Sequence, residues 1–287
     1  MSGSGSPSGS TVPENPRSNL AAPSWHSLSE NGLRPRVSAR QPRKRASLKK
    51  FERLYLVAEP FLPPLHKIVR RYLLELAAEH SARPAILDVG GRKSHCTIGV
   101  DADITISDLP RETALENSLN LGINEHIRES ILTRRSNVRN ILYDDMTRSL
   151  LPTETFDAVV AVEVLEHVED DESFVREVHR VLKPGGTFLM TTPNGDFVRN
   201  TNPDHKRHYT GSHLRARLGT SFAQFDVAYA IRAGRWRDFG LRSWSGGHPL
   251  RTALSMAGNV VNGWQSARVG RGESIGTRHL IAVARKS

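Results

Sequence analysis

Cysteine is nearly absent from this chain of 287 residues, with Cys96 the single one. A lone thiol excludes an intramolecular disulfide and a thiolate metal cluster, and it points to a reducing compartment. Long apolar runs are missing as well. No stretch approaches the ~18 to 20 consecutive apolar residues of a membrane-spanning helix, and the first thirty residues hold no apolar block of a secretory signal. The chain therefore reads as cytoplasmic, although its Ser- and Arg-rich, acid-poor start overlaps in composition with organellar transit peptides.

Acidic residues are scarce in one region only. Residues 1–50 carry nine Lys/Arg (Arg17, Arg34, Arg36, Arg40, Arg43, Lys44, Arg45, Lys49, Lys50) against Glu14 and Glu30. That surplus of seven leaves three of the formal +10 for the other 237 residues, which is ordinary for an enzyme and weak evidence for a nucleic-acid groove. Apolar clusters are missing from residues 1–47 too. Their Ser, Gly, Pro and Arg cannot bury enough surface to offset ordering entropy, so a disordered basic tail is expected there, with any nucleic-acid contact confined to it.

Residues 48–287 have the makings of one domain. Phe51, Leu54 and Tyr55, then Ile68, Val69, Tyr72, Leu73 and Leu76, recur at helical spacing around Pro60, Pro63 and Pro64, which predicts N-terminal helices over 48–80. Short apolar strands follow at Ala85–Val89, Ile104–Ser107, Asn140–Tyr143, Phe156–Val162 and Thr187–Met190. Two more are expected at Phe225–Ile231 and His279–Ala284, around a helical stretch near Leu250–Trp264. The helix best defined by its pattern runs from about Glu172 to Lys183, with Asp171 as its cap and Gly185 beyond its end. Strands that are apolar throughout are buried on both faces, so an α/β fold with a mostly parallel, doubly wound sheet is predicted.

In such sheets ligands bind outside the carboxyl ends of the strands. The first end reads Asp88-Val89-Gly90-Gly91, where glycines let backbone approach a ligand closely. The second ends in Asp108, placed to accept hydrogen bonds from vicinal ribose hydroxyls, with Asp101 as its rival. The third ends in Tyr143-Asp144-Asp145-Met146, where a carboxylate and a following N–H can read adenine; Asp145 is preferred to Asp144. The fourth runs into Glu163-Val164-Leu165-Glu166-His167-Val168, a concentration of charge that makes His167 a candidate base.

Taken in order, these motifs resemble the class I S-adenosylmethionine-dependent methyltransferases, particularly the type 11 group that includes quinone-biosynthesis-like enzymes. The match runs from about Ile86 to Thr192. Its most specific part is Phe156-Asp157-Ala158-Val159-Val160, Glu163 to Val168, Arg180-Val181-Leu182-Lys183-Pro184-Gly185-Gly186 and Thr191-Thr192-Pro193-Asn194. The resemblance implies a seven-stranded Rossmann-like sheet with its last strand antiparallel, a cofactor-binding core over 84–193 and a substrate-side region over 194–287. It also implies S-adenosyl-L-methionine as cofactor. Asp88, Gly90 and Gly91 would line its methionine end, Asp108 would hold the ribose, Asp145 with Met146 the adenine, and Glu163 would lie beside the sulfonium. One departure stands out: Arg92 and Ser94 occupy positions where the family usually has glycine. Only Lys93 to Ala102 then separate the turn from the second strand, so the first helix is shortened, and Arg92 or Lys93 is expected to pair with the methionine carboxylate.

Methyl transfer from a sulfonium to an O, N or C atom of a small acceptor is an in-line displacement that needs alignment more than metal or covalent chemistry. A base for an acceptor proton would be His167, then His205, His208 or Tyr209 in the stretch Asn202–Thr210, whose histidines lack the ordered spacing of a metal site. The alternatives are a catalytically silent binding protein of the same fold and an RNA methyltransferase working through the basic tail.

Overall fold

The computed structural model describes residues 47–110, 122–270 and 272–287. The tail expected over 1–47 lies, apart from Ser47, outside them. Seven strands form one sheet: β1 (Ala85–Val89), β2 (Asp103–Asp108), β3 (Val138–Tyr143), β4 (Phe156–Val162), β5 (Leu182–Pro193), β6 (Gln224–Arg232) and β7 (Thr277–Arg285). Their order is β3-β2-β1-β4-β5-β7-β6. The first five run parallel, while β7 lies antiparallel between β5 and β6.

Alternation along the central strands fills both faces. In β4, Val159 and Ala161 face a core with Phe174, Val175 and Val178 of the helix Asp171–Val181 and with Leu214 and Leu218 of the helix Gly211–Gly219. Ala158 and Val160 face the opposite core, with Leu65, Val69, Leu73 and Ala77 of the helix Pro64–Glu79. A parallel sheet covered on both sides in this way follows from strands without a polar face. The pair of helices expected before β1 is present, as Lys50–Ala58 and Pro64–Glu79, with Pro60, Pro63 and Pro64 between or at their ends. The late helical stretch spans Pro249–Ser266.

Three local expectations are corrected. The cap of the helix Asp171–Val181 is Asp170, whose Oδ1 accepts from the Ser173 N–H at 3.0 Å. Asp171, one residue on, turns inward instead: Arg207 and Arg217 pair with it at 2.7 and 3.1 Å, and the Tyr209 hydroxyl donates to it at 2.5 Å. The helix ends at Val181 because Leu182 already pairs with Phe156 in the sheet. Pro184-Gly185-Gly186 then forms an irregularity inside β5, with Gly185 at φ 77°, so the strand is twelve residues long rather than four.

No α-helix joins β1 to β2. A single 3₁₀ turn, Gly91–Lys93, is followed by an irregular segment with Cys96, Thr97, Ile98, Val100 and Ala102 buried in it. Buried backbone without helical bonds needs other partners. Arg70 donates to the carbonyls of Cys96 and Ile98, and the Asn137 amide donates to those of Thr97 and Val100 at 2.7 and 3.0 Å. Burial pushes the Cys96 thiol up to about 12, so it is an inert core residue. Among the described residues no helix is long and apolar enough to cross a membrane.

Candidate active site

A cleft of about 820 Å³ opens at the carboxyl ends of β1 to β4. Its wall includes Asp88, Gly90, Arg92, Lys93, Asp108, Asp144, Asp145, Met146, Glu163 and His167. The four strand-end carboxylates singled out by sequence are thus brought to one rim. Gly91 supports the wall from behind: a Cβ there would come within 2.5 Å of Asp88 Cγ. Gly90 takes φ 67°, and its N–H donates to the Ser107 carbonyl at 2.7 Å, tying the turn to β2. A Cβ on Gly90 would stand 2.9 Å from Val164 Cγ2, so both conformation and space favour glycine.

Asp88 is 1% exposed. Its Oδ2 accepts from the Thr97 hydroxyl at 2.7 Å, and Thr97 Oγ1 in turn accepts from Arg135 at 2.7 Å. Its Oδ1 is buried without a hydrogen-bond partner. Burial raises the Asp88 carboxyl above the usual range against the opposing pull of Arg135. An acceptor left open in this way at a cleft wall is complementary to a donor-bearing ligand.

Asp108 stands at the end of β2, where its Oδ1 accepts from the Leu109 N–H at 2.9 Å and its Oδ2 pairs with Arg92 Nε at 3.2 Å. Its rival, Asp101, precedes β2 at the far edge of the sheet and pairs with Arg83 at 3.3 Å, away from the cleft wall. Arg92 is thereby engaged by a carboxylate of the protein itself. At β3, Asp145 commits both oxygens locally: Oδ1 to the N–H and hydroxyl of Thr147, and Oδ2 to Arg148. Asp144 uses Oδ1 for the Leu150 N–H and leaves Oδ2 buried and unpartnered. Met146, 3% exposed, adds an apolar surface beside them.

Glu163 has φ 55°, a rare backbone for a non-glycine residue, held by its N–H donating to Thr191 O at 3.0 Å. The Thr191 hydroxyl donates to Glu163 Oε1 at 2.9 Å, and His279 lies 3.2 Å from Oε2. Burial would raise this carboxyl, but His279 and the Thr191 hydroxyl hold it below its usual value, so Glu163 is an anion. Glu166 behaves oppositely: burial first, and the Glu163 charge second, push it well above the usual range. Its Oε2 accepts from the Thr192 hydroxyl at 3.2 Å, whereas Oε1 has no partner.

His167 lines the cleft, and its Nδ1 lies 3.1 Å from the Asp204 carbonyl. His208, the second base candidate, is not on the cleft wall; its Nδ1 contacts the Val198 carbonyl at 2.9 Å and its Nε2 contacts His205 Nδ1 at 2.8 Å. Tyr209 is 3% exposed and held by Asp171, so it belongs to the core. Sequence reasoning missed His66, which reaches the cleft from the helix Pro64–Glu79. It also missed Thr97, Arg135, Thr191 and His279, which hold Asp88 and Glu163. Of these partners only Thr191 stands in a sequence motif, Thr191-Thr192-Pro193-Asn194, and Arg135 and His279 are remote in sequence from the carboxylates they support.

Residues 105–190 match the family model described as a methyltransferase domain. The chain is 32% identical over 167 residues to a probable S-adenosylmethionine-dependent methyltransferase of Mycolicibacterium smegmatis, covering 56% of this chain and 58% of that protein. It is 30% identical over 153 residues to the mitochondrial ubiquinone biosynthesis O-methyltransferase of Bos taurus, covering 46% of this chain and 38% of that one. The chain thus spans less than two thirds of these relatives. A solved S-adenosylmethionine-dependent methyltransferase from Archaeoglobus fulgidus superposes with a TM-score of 0.48 at 15% identity, over 77% of this chain and 94% of that one. The matched segment runs from β2 into β5, and together with these relatives it supports a class I S-adenosylmethionine-dependent methyltransferase domain of the type 11 group.

Proposed function

We propose that the protein transfers a methyl group from S-adenosylmethionine to a small-molecule acceptor. The observation that carries this reading is the unpartnered, buried Oδ1 of Asp88 on the same cleft wall as Asp108, the Asp144–Asp145 pair and Glu163. The donor set suits the cofactor: Asp88 would meet its methionine end beside Gly90, Asp108 the ribose hydroxyls, and Asp144 or Asp145 with Met146 the adenine. Glu163 would lie near the sulfonium, where its anionic state matches the positive charge. Bound there, S-adenosylmethionine supplies a methyl group already activated for in-line displacement.

The residues of the chain would position and shield rather than react. Arg92 pairs with Asp108 at 3.2 Å, so it would orient that carboxylate toward the ribose instead of reaching the methionine carboxylate. His167 would take the acceptor's proton at Nε2, because its Nδ1 donates to the Asp204 carbonyl and leaves Nε2 with a lone pair. Similarity to a ubiquinone biosynthesis O-methyltransferase favours a quinol or phenol as the acceptor to try first, and the cytoplasm is the expected compartment. A screen of S-adenosylhomocysteine release against phenols, quinols, amines and carboxylates tests the reading. Turnover with one acceptor class, reduced at least about tenfold in His167→Ala, is the expected result; no release with any class would contradict it.

A further inference from the structure

Beside the cleft lies a second cavity, of about 340 Å³. It opens between Phe51 of the helix Lys50–Ala58, the segment that follows the 3₁₀ turn Gly91–Lys93, and the helix Glu125–Arg134. Arg92, Lys93 and Ser94 border both spaces, whereas His126, Arg134 and Arg135 border this one alone. Four of its side chains are thus Arg or Lys, and no Asp or Glu stands among the described residues that line it. A wall of one sign concentrates ions of the other.

Arg135 is 5% exposed, yet its Nε is buried without a hydrogen-bond partner. Its Nη2 donates to the Thr97 hydroxyl at 2.7 Å. Two buried carboxylates act on it without contact: Asp88 stands behind Thr97, and Glu52 gives its oxygens to the N–H groups of Lys49 and Ser136 at 2.8 and 3.0 Å. Among the described residues Arg135 makes no ion pair. Burial pushes the guanidinium below its usual range, against the opposing pull of Asp88. A guanidinium nevertheless keeps its charge inside a protein, and a buried cation that touches no anion is costly. Arg134, exposed at the edge of the cavity, makes no ion pair among the described residues either, and its guanidinium carbon lies 5.9 Å from the centre of the Phe51 ring.

We propose that this cavity binds a small organic anion, with a carboxylate or phosphate group against Arg134 and Arg135 and an apolar body against Phe51, Ile127 and Ile131. The planar guanidinium fork matches the paired oxygens of either group. Phe51, Ile98, Ile127 and Ile131 supply the apolar lining, and Ser130 and His126 of the helix Glu125–Arg134 add polar groups beside the two arginines. The space lies within the roughly 300 to 1,000 Å³ of small-molecule pockets. Asp88, Asp108 and Asp145, across which the nucleoside would lie, do not border it. The anion site is therefore independent of the methyltransferase reading.

The test is a calorimetric titration of the full-length protein with phenyl phosphate, benzoate, inorganic phosphate and phenol, repeated with S-adenosylhomocysteine present. One molecule of phenyl phosphate or benzoate per chain is expected, and the tighter of the two names the head group. Its affinity should fall at least about tenfold in Arg135→Gln and at least about fivefold in Arg134→Ala. Urea denaturation checks that both variants fold, and the exposed Arg134 keeps the test decisive if Arg135→Gln does not. Nucleoside affinity should stay within about twofold in Arg134→Ala, since Arg134 lies outside the cleft. A folded wild-type chain that takes neither organic anion, affinity unchanged in Arg134→Ala, or inorganic phosphate or phenol bound as tightly would overturn the proposal. Displacement of the anion by S-adenosylhomocysteine would place it in the cleft and overturn the proposal equally. Anion binding that responds to Arg134→Ala in a protein indifferent to the nucleoside would leave this site standing and refute the cofactor reading instead.

Discussion

At the scale of single residues, the cleft depends on positions where a small chemical change removes one function and little else. Gly90 joins a left-handed backbone to a Cβ position already occupied by Val164. Gly90→Ala is expected to cost about 1 to 2 kcal/mol of stability and to weaken nucleoside binding, read by urea denaturation and calorimetry. Asp88→Asn keeps an oxygen for the Thr97 hydroxyl but removes the negative charge offered to the ligand. It is expected to stay folded at pH 7 and to lose about tenfold or more in S-adenosylhomocysteine affinity. His66 gives the pH dependence. Burial first, and His95 second, push it down from 6.5 to about 4, so above pH 6.5 it is neutral both folded and unfolded. Between pH 6.5 and 4 the unfolded chain takes up a proton that the folded chain refuses, and stability falls as the pH drops through that window. His66→Gln should flatten this part of the stability profile, and an unchanged slope would show that His66 titrates normally.

At the scale of elements, the segment between β1 and β2 is the most unusual part of the sheet. Its length, from Lys93 to Ala102, is too short for a covering helix, and that much could be read directly from the sequence. How the fold does without the helix could not, because the answer lies in Arg70 and Asn137, which belong to other elements and have no distinguishing pattern. Asn137→Ala removes one of two donors from each of the buried carbonyls of Thr97 and Val100, which keep the N–H groups of Val100 and Ala102. A loss of about 1 to 3 kcal/mol in urea denaturation is expected, and a loss under about 0.5 kcal/mol would mean that the segment relaxes to find water. The strands themselves were within reach of sequence because doubly buried strands are apolar throughout, and Phe156–Val162 and Ala85–Val89 fall where expected. The cap shifted from Asp171 to Asp170 because two adjacent aspartates satisfy the same local rule. Only the tertiary pull of Arg207 and Arg217 separates them. His208 failed to reach the cleft for a related reason: a loop sequence states which groups are present but not which way the loop turns.

At the scale of the whole molecule, every described residue that lines the cleft falls between His66 and Lys206. Removing residues 1–44 is expected to leave nucleoside affinity within about twofold, while any salt-sensitive binding of RNA would be lost with them. The sheet order and the antiparallel β7 give the fold, and the carboxylates at four strand ends give the site its character. Their convergence is the claim on which the cofactor, the acceptor chemistry and the role of His167 all depend. The most direct measurement is a calorimetric titration of the purified chain with S-adenosylhomocysteine. Binding of one molecule per chain, weakened by Asp88→Asn, is the result expected; a cooperatively folded protein that gives no binding would contradict it.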